Sequence, residues 1–238
     1  MQAVLMAGGK GTRLRPFTAV LPKPLVPIGD IAVIEMVLRQ LRYFGFRDIR
    51  ISVGHKAELI MAVLGDGGRF GLKVTYHHED SPLGTIGSLS QMPGLEENFL
   101  VMNGDICTNL RFNDIYDDHV RHGAMATIGT FQRREQIELG VMDLGEDGEH
   151  IVGFREKPTY DFFVSMGVNV FHRSVIDLIP KGTFFGFDSL MHKMLTNQTP
   201  IRSYPFKGRW LDIGRPDDYD KIYEEFQKSP SDYLPDGA

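Results

Sequence analysis

A glycine-rich turn stands directly after the first apolar segment of the chain. It reads Gly8-Gly9-Lys10-Gly11 and follows the run from Ala3 to Met6. Glycines at such a turn let backbone amides approach a phosphate, because no Cβ stands in the way. The turn is not a Walker A loop, since Gly11 rather than Ser or Thr follows the lysine, and Leu14 stands where a dinucleotide fingerprint has its final glycine. An ordinary tight turn is the competing interpretation.

Two cationic side chains favour a phosphate site over an ordinary turn. Arg13 and Lys23 both lie in the connection that follows the glycines, and Pro22 and Pro24 stiffen the backbone around the lysine. Either charge alone would be a typical solvated surface group. A lysine framed by prolines just after a glycine turn provides the fixed cation that a triphosphate requires, so we predict a nucleotide phosphate site here.

The hydrophobic pattern that positions these residues alternates between strands and helices. The run from Ala3 to Met6 shows no alternation, as expected of a central strand buried on both faces. Asp30 is predicted to be the N-cap of the helix that follows. Further strands are predicted at residues 49–53, 72–76 and 99–102, and further helices at residues 57–64 and near 85–92. The strand at 99–102 ends in Asn103-Gly104-Asp105, at the carboxyl end where open α/β sheets bind ligands.

The second half of the sequence is richer in strand patterns. Apolar or alternating runs occur at residues 124–130, 141–144, 151–154 and 166–171. No linker or repeat separates the halves, so we expect one domain over residues 1–228. Residues 229–238 contain two prolines and little to bury, which predicts a flexible tail.

Composition excludes several classes of protein. The chain has 238 residues, of which 42% are hydrophobic and 24% charged, so it belongs to the globular class. Its net charge of -5 lacks the basic footprint of a nucleic-acid binder. No apolar run reaches the roughly 20 residues of a membrane span. The single cysteine, Cys107, cannot form an internal disulfide, which suits the cytoplasm.

Several motifs, spread over nearly the whole chain, resemble those of the sugar-phosphate nucleotidylyltransferases, most closely the mannose-1-phosphate and manno-heptose-1-phosphate guanylyltransferases. The motifs are Ala7-Gly8-Gly9-x-Gly11-Thr12-Arg13-Leu14, Pro22-Lys23-Pro24, Pro82-Leu83-Gly84-Thr85-x-Gly87, Asn103-Gly104-Asp105, Glu156-Lys157-Pro158, Gly167-Val168-Asn169 and Trp210-Leu211-Asp212-Ile213-Gly214. The resemblance implies a three-layer Rossmann-like α/β fold, a mixed sheet flanked by helices, with a small β-rich sugar-binding part. No hexapeptide repeats follow, so no β-helix extension is expected.

The resemblance also implies a reaction and a set of roles. A sugar 1-phosphate and a nucleoside triphosphate would give a nucleotide sugar and pyrophosphate, with catalysis resting on alignment and charge neutralisation. Arg13, Lys23 and Lys157 would be the catalytic cations, and Asp105 and Asp212 would hold Mg²⁺. The nucleotide-binding residues would be Ala7, Gly8, Gly9, Gly11, Thr12, Glu79, Pro82, Gly84, Thr85 and Asp105. The residues on the sugar phosphate would be Gly140, Glu156, Lys157 and Asn169.

Glu79 bears on the choice of base. It resembles the position that contacts the nucleobase in relatives, and a carboxylate pairs well with the adjacent N1 and N2 donors of guanine. We therefore expect GTP, with mannose 1-phosphate ahead of a manno-heptose 1-phosphate. A UTP- or dTTP-dependent enzyme and a non-catalytic, nucleotide-sugar-sensing regulatory subunit are the competing interpretations. A homo-oligomer is left open.

Overall fold

A seven-stranded mixed sheet forms the centre of the computed structural model, which describes residues 1–214 and 216–235. Its strands are β1 (Gln2–Ala7), β4 (Asp48–Val53), β5 (Lys73–His78), β6 (Asn98–Asn103), β8 (Ala126–Gln136), β11 (Thr159–His172) and β12 (Ile201–Phe206), in the spatial order β12-β8-β11-β6-β1-β4-β5. The strands β6, β1, β4 and β5 are mutually parallel, and β11 runs antiparallel to both of its neighbours. Six further strands form two-stranded pairs: β2 (Pro27–Ile28) with β3 (Ile31–Ala32), β7 (Ile106–Thr108) with β13 (Trp210–Asp212), and β9 (Val141–Leu144) with β10 (Ile151–Arg155).

Helical layers cover both faces of the sheet, as the expected fold class requires. The helices are α1 (Phe17–Val20), α2 (Val33–Tyr43), α3 (Ala57–Leu64), α4 (Phe112–His122), α5 (Phe187–Thr196), α6 (Pro216–Lys228) and α7 (Pro230–Tyr233). Along β1, Ala3 and Leu5 pack into the core beneath α2, α3 and α4, whereas Val4 packs into the core beneath α5. The three-layer α/β architecture is therefore confirmed. Among the described residues, no helix is long and apolar enough to cross a bilayer.

Two local predictions were wrong because neighbouring segments pair differently. Asp30 is not an N-cap: β2 and β3 pair as an antiparallel hairpin, Gly29 (φ 59°) and Asp30 form its turn, and α2 starts only at Val33. The helix expected near residues 85–92 is a short three-ten segment, Gly87–Gln91, buried against α5.

The segment after α6 also differs from the expected loose tail. Pro230–Tyr233 form α7, and Tyr233 and Leu234 are buried beside Phe226 of α6. The Tyr233 hydroxyl donates a hydrogen bond of 3.0 Å to Glu225. Two large side chains therefore anchor a segment that the sequence predicts to be a flexible tail. Residues 236–238 of the predicted tail lie outside the described residues.

A β-rich extension projects beyond the main sheet, and we call it the arm. It comprises the ends of β8 and β11 that pair from Gln132 to Gln136 and from Thr159 to Phe163, the β9–β10 hairpin, and the segments 137–140 and 156–158 that join this hairpin to β8 and β11. The pairing of β12 with β8 stops at Phe131, so this part of β8 has only β11 beside it. Its side chains are mostly exposed. The arm corresponds to the β-rich part expected from the sequence.

A buried histidine links α4 to the sheet. His119 is 1% exposed, its Nδ1 lies 2.9 Å from the Thr127 hydroxyl of β8, and its Nε2 lies 3.1 Å from Oδ1 of Asn98 in β6. Burial, with a smaller contribution from His172, lowers the pKa of His119 to about 4. The folded protein therefore holds this imidazole neutral at a pH where the unfolded chain already binds a proton.

We predict that acid destabilises the protein through His119. Because its pKa is near 6.5 in the unfolded chain and about 4 when folded, its contribution is fully present above pH 6.5 and is lost as the pH falls towards 4. Between pH 7 and pH 5 this loss amounts to about 2 kcal/mol of unfolding free energy. Urea denaturation of the wild type and of His119→Gln, which does not titrate, measures it. The variant should be less stable at pH 7 but should lose less between the two pH values; identical losses would contradict the prediction.

Candidate active site

A cavity of about 450 Å³ opens at the carboxyl ends of β1, β5 and β6. Because these parallel strands end at the same edge of the sheet, the residues that follow them converge there. The cavity is lined by Met6, Ala7, Gly8, Gly9, Lys10, Gly11, Thr12, Arg13, Lys23, Pro24, Glu79, Pro82, Gly84, Thr85, Asn103, Asp105 and Phe184. The structure thus brings together all the residues expected to bind the nucleotide, and with them the cations Arg13 and Lys23.

The glycine turn has no room for larger residues at two positions. A Cβ on Gly8 would lie 2.9 Å from Oε1 of Glu79. Gly11 has a left-handed backbone (φ 59°), and a Cβ there would lie 3.0 Å from Cβ of Lys23. The missing side chains therefore let the turn pack directly against both the carboxylate and the lysine of the cavity wall.

Lys23 bridges the two aspartates expected to hold a metal. Its ammonium group forms an ion pair with the Asp105 carboxylate and lies 3.4 Å from Oδ1 of Asp212. The Lys23 and Asp105 side chains are largely buried, whereas Asp212 is more exposed. Three segments remote in sequence therefore meet at one charged cluster.

Pairing between β7 and β13 explains why the two aspartates meet. Asp105 precedes β7, and Asp212, the last residue of β13, is the antiparallel partner of Ile106. The Trp210 indole N–H of β13 donates a hydrogen bond of 2.8 Å to the Met166 carbonyl and so ties β13 to β11. On the other side, Gly104 donates a backbone hydrogen bond of 3.0 Å to Met6 of β1.

The pKa values of Lys23 and Asp105 both depart from their ordinary values. Burial alone would lower the pKa of Lys23, but the Asp105 and Asp212 carboxylates together outweigh burial and raise it above its ordinary value. Burial raises the pKa of Asp105, and the neighbouring ammonium of Lys23 opposes that shift. Lys23 therefore stays cationic beside the cavity.

The donor set at this cluster fits Mg²⁺. Carboxylate oxygens are the hard ligands that this ion prefers, and it is usually held by one or two carboxylates together with substrate phosphates. Asp105 and Asp212 both pair with the ammonium group of Lys23, and the described residues contain no group of three or more His, Cys, Asp or Glu side chains that could form a complete cage. An ion bound here would take the rest of its coordination from water and substrate phosphates.

Glu79 is held rigidly in the cavity wall. The Ser52 hydroxyl of β4 donates a hydrogen bond of 2.6 Å to Oε1 of Glu79, and the Leu83 amide donates one of 3.3 Å to Oε2. These bonds orient the carboxylate before any ligand binds. Each oxygen retains further accepting capacity for a donor in the cavity.

A second cavity of about 200 Å³ adjoins the first and shares Met6, Thr85 and Asn103 with it. Asn169 of β11 lines this smaller cavity, is buried, and has an Oδ1 atom without a hydrogen-bond partner among the described residues. A buried acceptor without a partner is costly unless a ligand or water satisfies it. Of the residues expected to contact the sugar phosphate, Asn169 therefore lies beside the larger cavity.

The other three expected sugar-phosphate residues lie on the arm. Gly140 and Glu156 are neighbours, since a Cβ on Gly140 would lie 3.4 Å from Oε2 of Glu156. Lys157 is exposed, has a left-handed backbone (φ 43°), and its Nζ lies 3.9 Å from Oε2 of Glu138. Among the described residues that line the two cavities, none of these three is present. The structure thus separates this set from Arg13 and Lys23.

Some residues that line the larger cavity have no role predicted from the sequence, among them Asn103 and Phe184. Asn103 belongs to one of the motifs, but the resemblance gives a role only to Asp105 of that motif. Phe184 comes from a loop about 100 residues after the Pro82–Thr85 part of the lining, and no local pattern indicates that this loop reaches the cavity.

Comparisons with known proteins fit this geometry. The nucleotidyl transferase family model matches residues 2–229. The chain belongs to the nucleotidyl transferase family.

Curated relatives and solved structures resemble this chain over most of its length. It is 33% identical to a UTP–glucose-1-phosphate uridylyltransferase of Synechocystis sp. and 31% identical to a mannose-1-phosphate guanyltransferase of Candida albicans. These matches cover 92% of this chain but only 61% and 62% of those proteins, so the chain spans about three-fifths of their length. The crystal structure of HddC from Yersinia pseudotuberculosis superimposes with a TM-score of 0.74 at 25% identity, covering 94% of this chain and 99% of that one.

We predict that the buried Lys23–Asp105 pair is strongly coupled. Removing one partner leaves a largely buried charge uncompensated, which is far more costly than breaking an exposed ion pair. A double-mutant cycle on unfolding free energy, with Lys23→Met and Asp105→Asn, should give a coupling of about 2 kcal/mol.

The exposed pair Arg134–Asp161, whose atoms lie 3.0 Å apart on the arm, is the matched control. The same cycle there, with Arg134→Met and Asp161→Asn, should give a clearly smaller coupling energy, because solvent screens an exposed ion pair. Equal coupling energies in the two cycles would contradict the prediction.

Proposed function

We propose that the protein is a Mg²⁺-dependent nucleotidylyltransferase that condenses GTP with a sugar 1-phosphate of the mannose or manno-heptose type, giving a GDP-sugar and pyrophosphate. The observation that carries the proposal is the meeting of Lys23, Asp105 and Asp212 at a cavity lined by a glycine turn. Family membership gives the reaction class its support.

The reaction is a displacement at the α-phosphorus of the triphosphate. A phosphate oxygen of the sugar 1-phosphate attacks, the bond to the bridging oxygen of the β-phosphate breaks, and pyrophosphate leaves. The attacking oxygen is already ionised near neutral pH, so no general base is required. Rate acceleration must come from holding the two substrates in line and from neutralising the charge on the leaving group.

The glycine turn and two cations would bind the triphosphate. The backbone amides of Gly8, Gly9 and Gly11 can approach phosphate oxygens closely, because these residues have no Cβ. Arg13 and Lys23 line the same cavity and would neutralise the negative charge of the departing pyrophosphate. Lys23 is suited to this role because its carboxylate neighbours keep it cationic and fix its position.

Asp105 and Asp212 are the residues that would hold Mg²⁺. When bound, the ion supplies charge neutralisation on the phosphate oxygens of the nucleotide. The two aspartates would also hold the ammonium group of Lys23 towards the cavity.

Asn169 would form part of the sugar site, because its unpartnered Oδ1 can accept a hydrogen bond from a sugar hydroxyl in the smaller cavity. Gly140, Glu156 and Lys157 would act from the arm, with Glu156 on the sugar and Lys157 on its phosphate. In this proposal the arm completes the sugar side of the site.

Glu79 supports GTP as the nucleotide. Its carboxylate is a pure acceptor, held by Ser52 and Leu83, and suits the adjacent N1 and N2 donors of guanine. The second candidate is a UTP-dependent enzyme, favoured by the identity to the Synechocystis uridylyltransferase. A dTTP-dependent enzyme and a non-catalytic nucleotide-sugar sensor are two further candidates, and the choice of substrate pair in a turnover assay separates all four.

We expect pyrophosphate release from the purified protein with Mg²⁺ and one particular pair of substrates. GTP, UTP and dTTP are each tried against mannose 1-phosphate, manno-heptose 1-phosphate and glucose 1-phosphate. GTP with a manno-configured sugar phosphate should react fastest, and Asp212→Asn should lower its kcat/KM on the order of a hundredfold, the scale of losing one group that stabilises transition-state charge. Because Asp212 is partly exposed, this variant should keep the wild-type melting temperature within a few degrees. Preference for UTP or dTTP would overturn the base assignment, and nucleotide binding without turnover would favour the sensor.

We expect Glu79→Gln to reduce selectivity for GTP over UTP. The amide replaces one acceptor oxygen with a donor that opposes the guanine N1 and N2 groups, so the ratio of the two kcat/KM values should fall by about tenfold or more. Asp80→Asn is the matched control, because Asp80 is exposed and is absent from the described lining of the cavity. If the two variants kept the same selectivity as the wild type, Glu79 would have no role in reading the base.

A further inference from the structure

An exposed aromatic side chain lines the nucleotide cavity without belonging to any of the motifs. Phe184 is 72% exposed, although it borders the same cavity as Glu79, Pro82 and Gly84. Its ring stacks on no other aromatic ring among the described residues. A phenylalanine this exposed at the cavity mouth presents an apolar ring face to a ligand that binds in the cavity.

The loop that carries Phe184 is fixed to the cavity wall. Phe185 donates a backbone hydrogen bond of 2.8 Å to the Leu83 carbonyl, and its own carbonyl accepts one of 3.3 Å from Ile86. The Phe187 amide donates to the Thr85 hydroxyl at 3.1 Å. These bonds join the residues immediately after Phe184 to the segment from Leu83 to Ile86.

Gly84 allows this close approach. Its backbone is left-handed (φ 80°), and a Cβ there would lie 2.7 Å from the Phe185 carbonyl oxygen. Phe185 packs against the core beneath α5, so the two neighbouring phenylalanines differ in environment. One anchors the loop in the core, and the other is held at the cavity.

We propose that Phe184 is a nucleotide-binding residue that stacks on the face of the nucleobase. This inference rests on the proposed function, in which Glu79 hydrogen-bonds the edge of the same base. The two contacts are complementary. The edge of a base carries the donors that distinguish one base from another, whereas every base has a π-face on which a ring can stack. Phe184 therefore contributes nucleotide affinity with little selectivity, and Glu79 contributes selectivity.

Calorimetric binding without sugar phosphate tests this role apart from catalysis. GTP, UTP and inorganic tripolyphosphate are titrated, each with Mg²⁺, into the wild type, Phe184→Ala and Phe184→Trp. Stacking is worth about 1–3 kcal/mol per base, so Phe184→Ala should weaken both nucleotides by about 5- to 150-fold. It should leave tripolyphosphate, which has no base, unchanged, and Phe184→Trp should retain nucleotide affinity. Phe163→Ala, at an equally exposed phenylalanine of the arm, is the matched control and should bind as the wild type does.

Two results would overturn the stacking role. One is unchanged nucleotide affinity in Phe184→Ala, and the other is an equal loss for tripolyphosphate and nucleotides, which would indicate a distorted loop. Failure of the proposed function would be seen separately, as a wild type that binds no nucleotide or releases no pyrophosphate with any substrate pair. A wild type that binds and turns over GTP, beside a Phe184→Ala variant of equal affinity, would remove only the stacking role.

Discussion

The buried cation at Lys23 is the constraint on which the site depends. Two carboxylates that approach one another in a partly buried place repel and lose hydration, and an ammonium group between them compensates for both costs. One buried hydrophobic cluster holds all three charged segments together. It contains Leu14 and Val26 from the segments before and after Lys23, Cys107, two residues after Asp105, and Ile213, directly after Asp212. Each charged residue thus has a buried neighbour that ties its segment to the same core, so the cluster is fixed by packing as well as by charge.

The parallel half of the sheet fixes the positions of the glycine turn and of Glu79. Since β1 lies between β4 and β6, its carboxyl end is held on both sides by ladder hydrogen bonds, and the glycine turn starts from a fixed point. The turn packs without side chains against Glu79, which Ser52 of the neighbouring strand β4 orients in turn. Residues at the ends of these strands therefore hold one another in place through direct contacts, and the cavity wall is formed before a ligand enters. Preorganised groups of this kind stabilise charge without the cost of rearrangement.

The sequence predicts those features that arise from local pattern. The central strand, the glycine turn and the convergence of residues at the carboxyl edge follow from hydrophobic runs and their spacing, and the structure has them. The features it does not predict arise from contacts between remote segments: the hairpin that places Asp30 in a turn, the burial of Tyr233 against α6, and the loop that brings Phe184 to the cavity. Nor could spacing reveal that Lys157 lies on an exposed arm beside Glu138, because its motif specifies a residue type and not the path of β11.

The two sides of the site differ in how firmly the protein holds them, and this difference bears on specificity. On the side that we propose for the nucleotide, Ser52 and Leu83 hold the Glu79 carboxylate, so a wrong base would meet a group that cannot move away to accommodate it. On the sugar side, Lys157 and Glu156 are solvated residues of the arm, and only Asn169 is buried. Solvated charges keep their hydration and adjust at little cost, so in the proposed function Lys157 binds the phosphate and Glu156 contacts the sugar, but both distinguish poorly between sugars. In the proposed function, discrimination among sugars then falls to the small cavity around Asn169. Its lining comes from β1, β6, β11, α5 and the segment at Thr85 and Ile86, so it is spread over several separate motifs. That division explains why the sequence indicates the reaction class more sharply than the sugar.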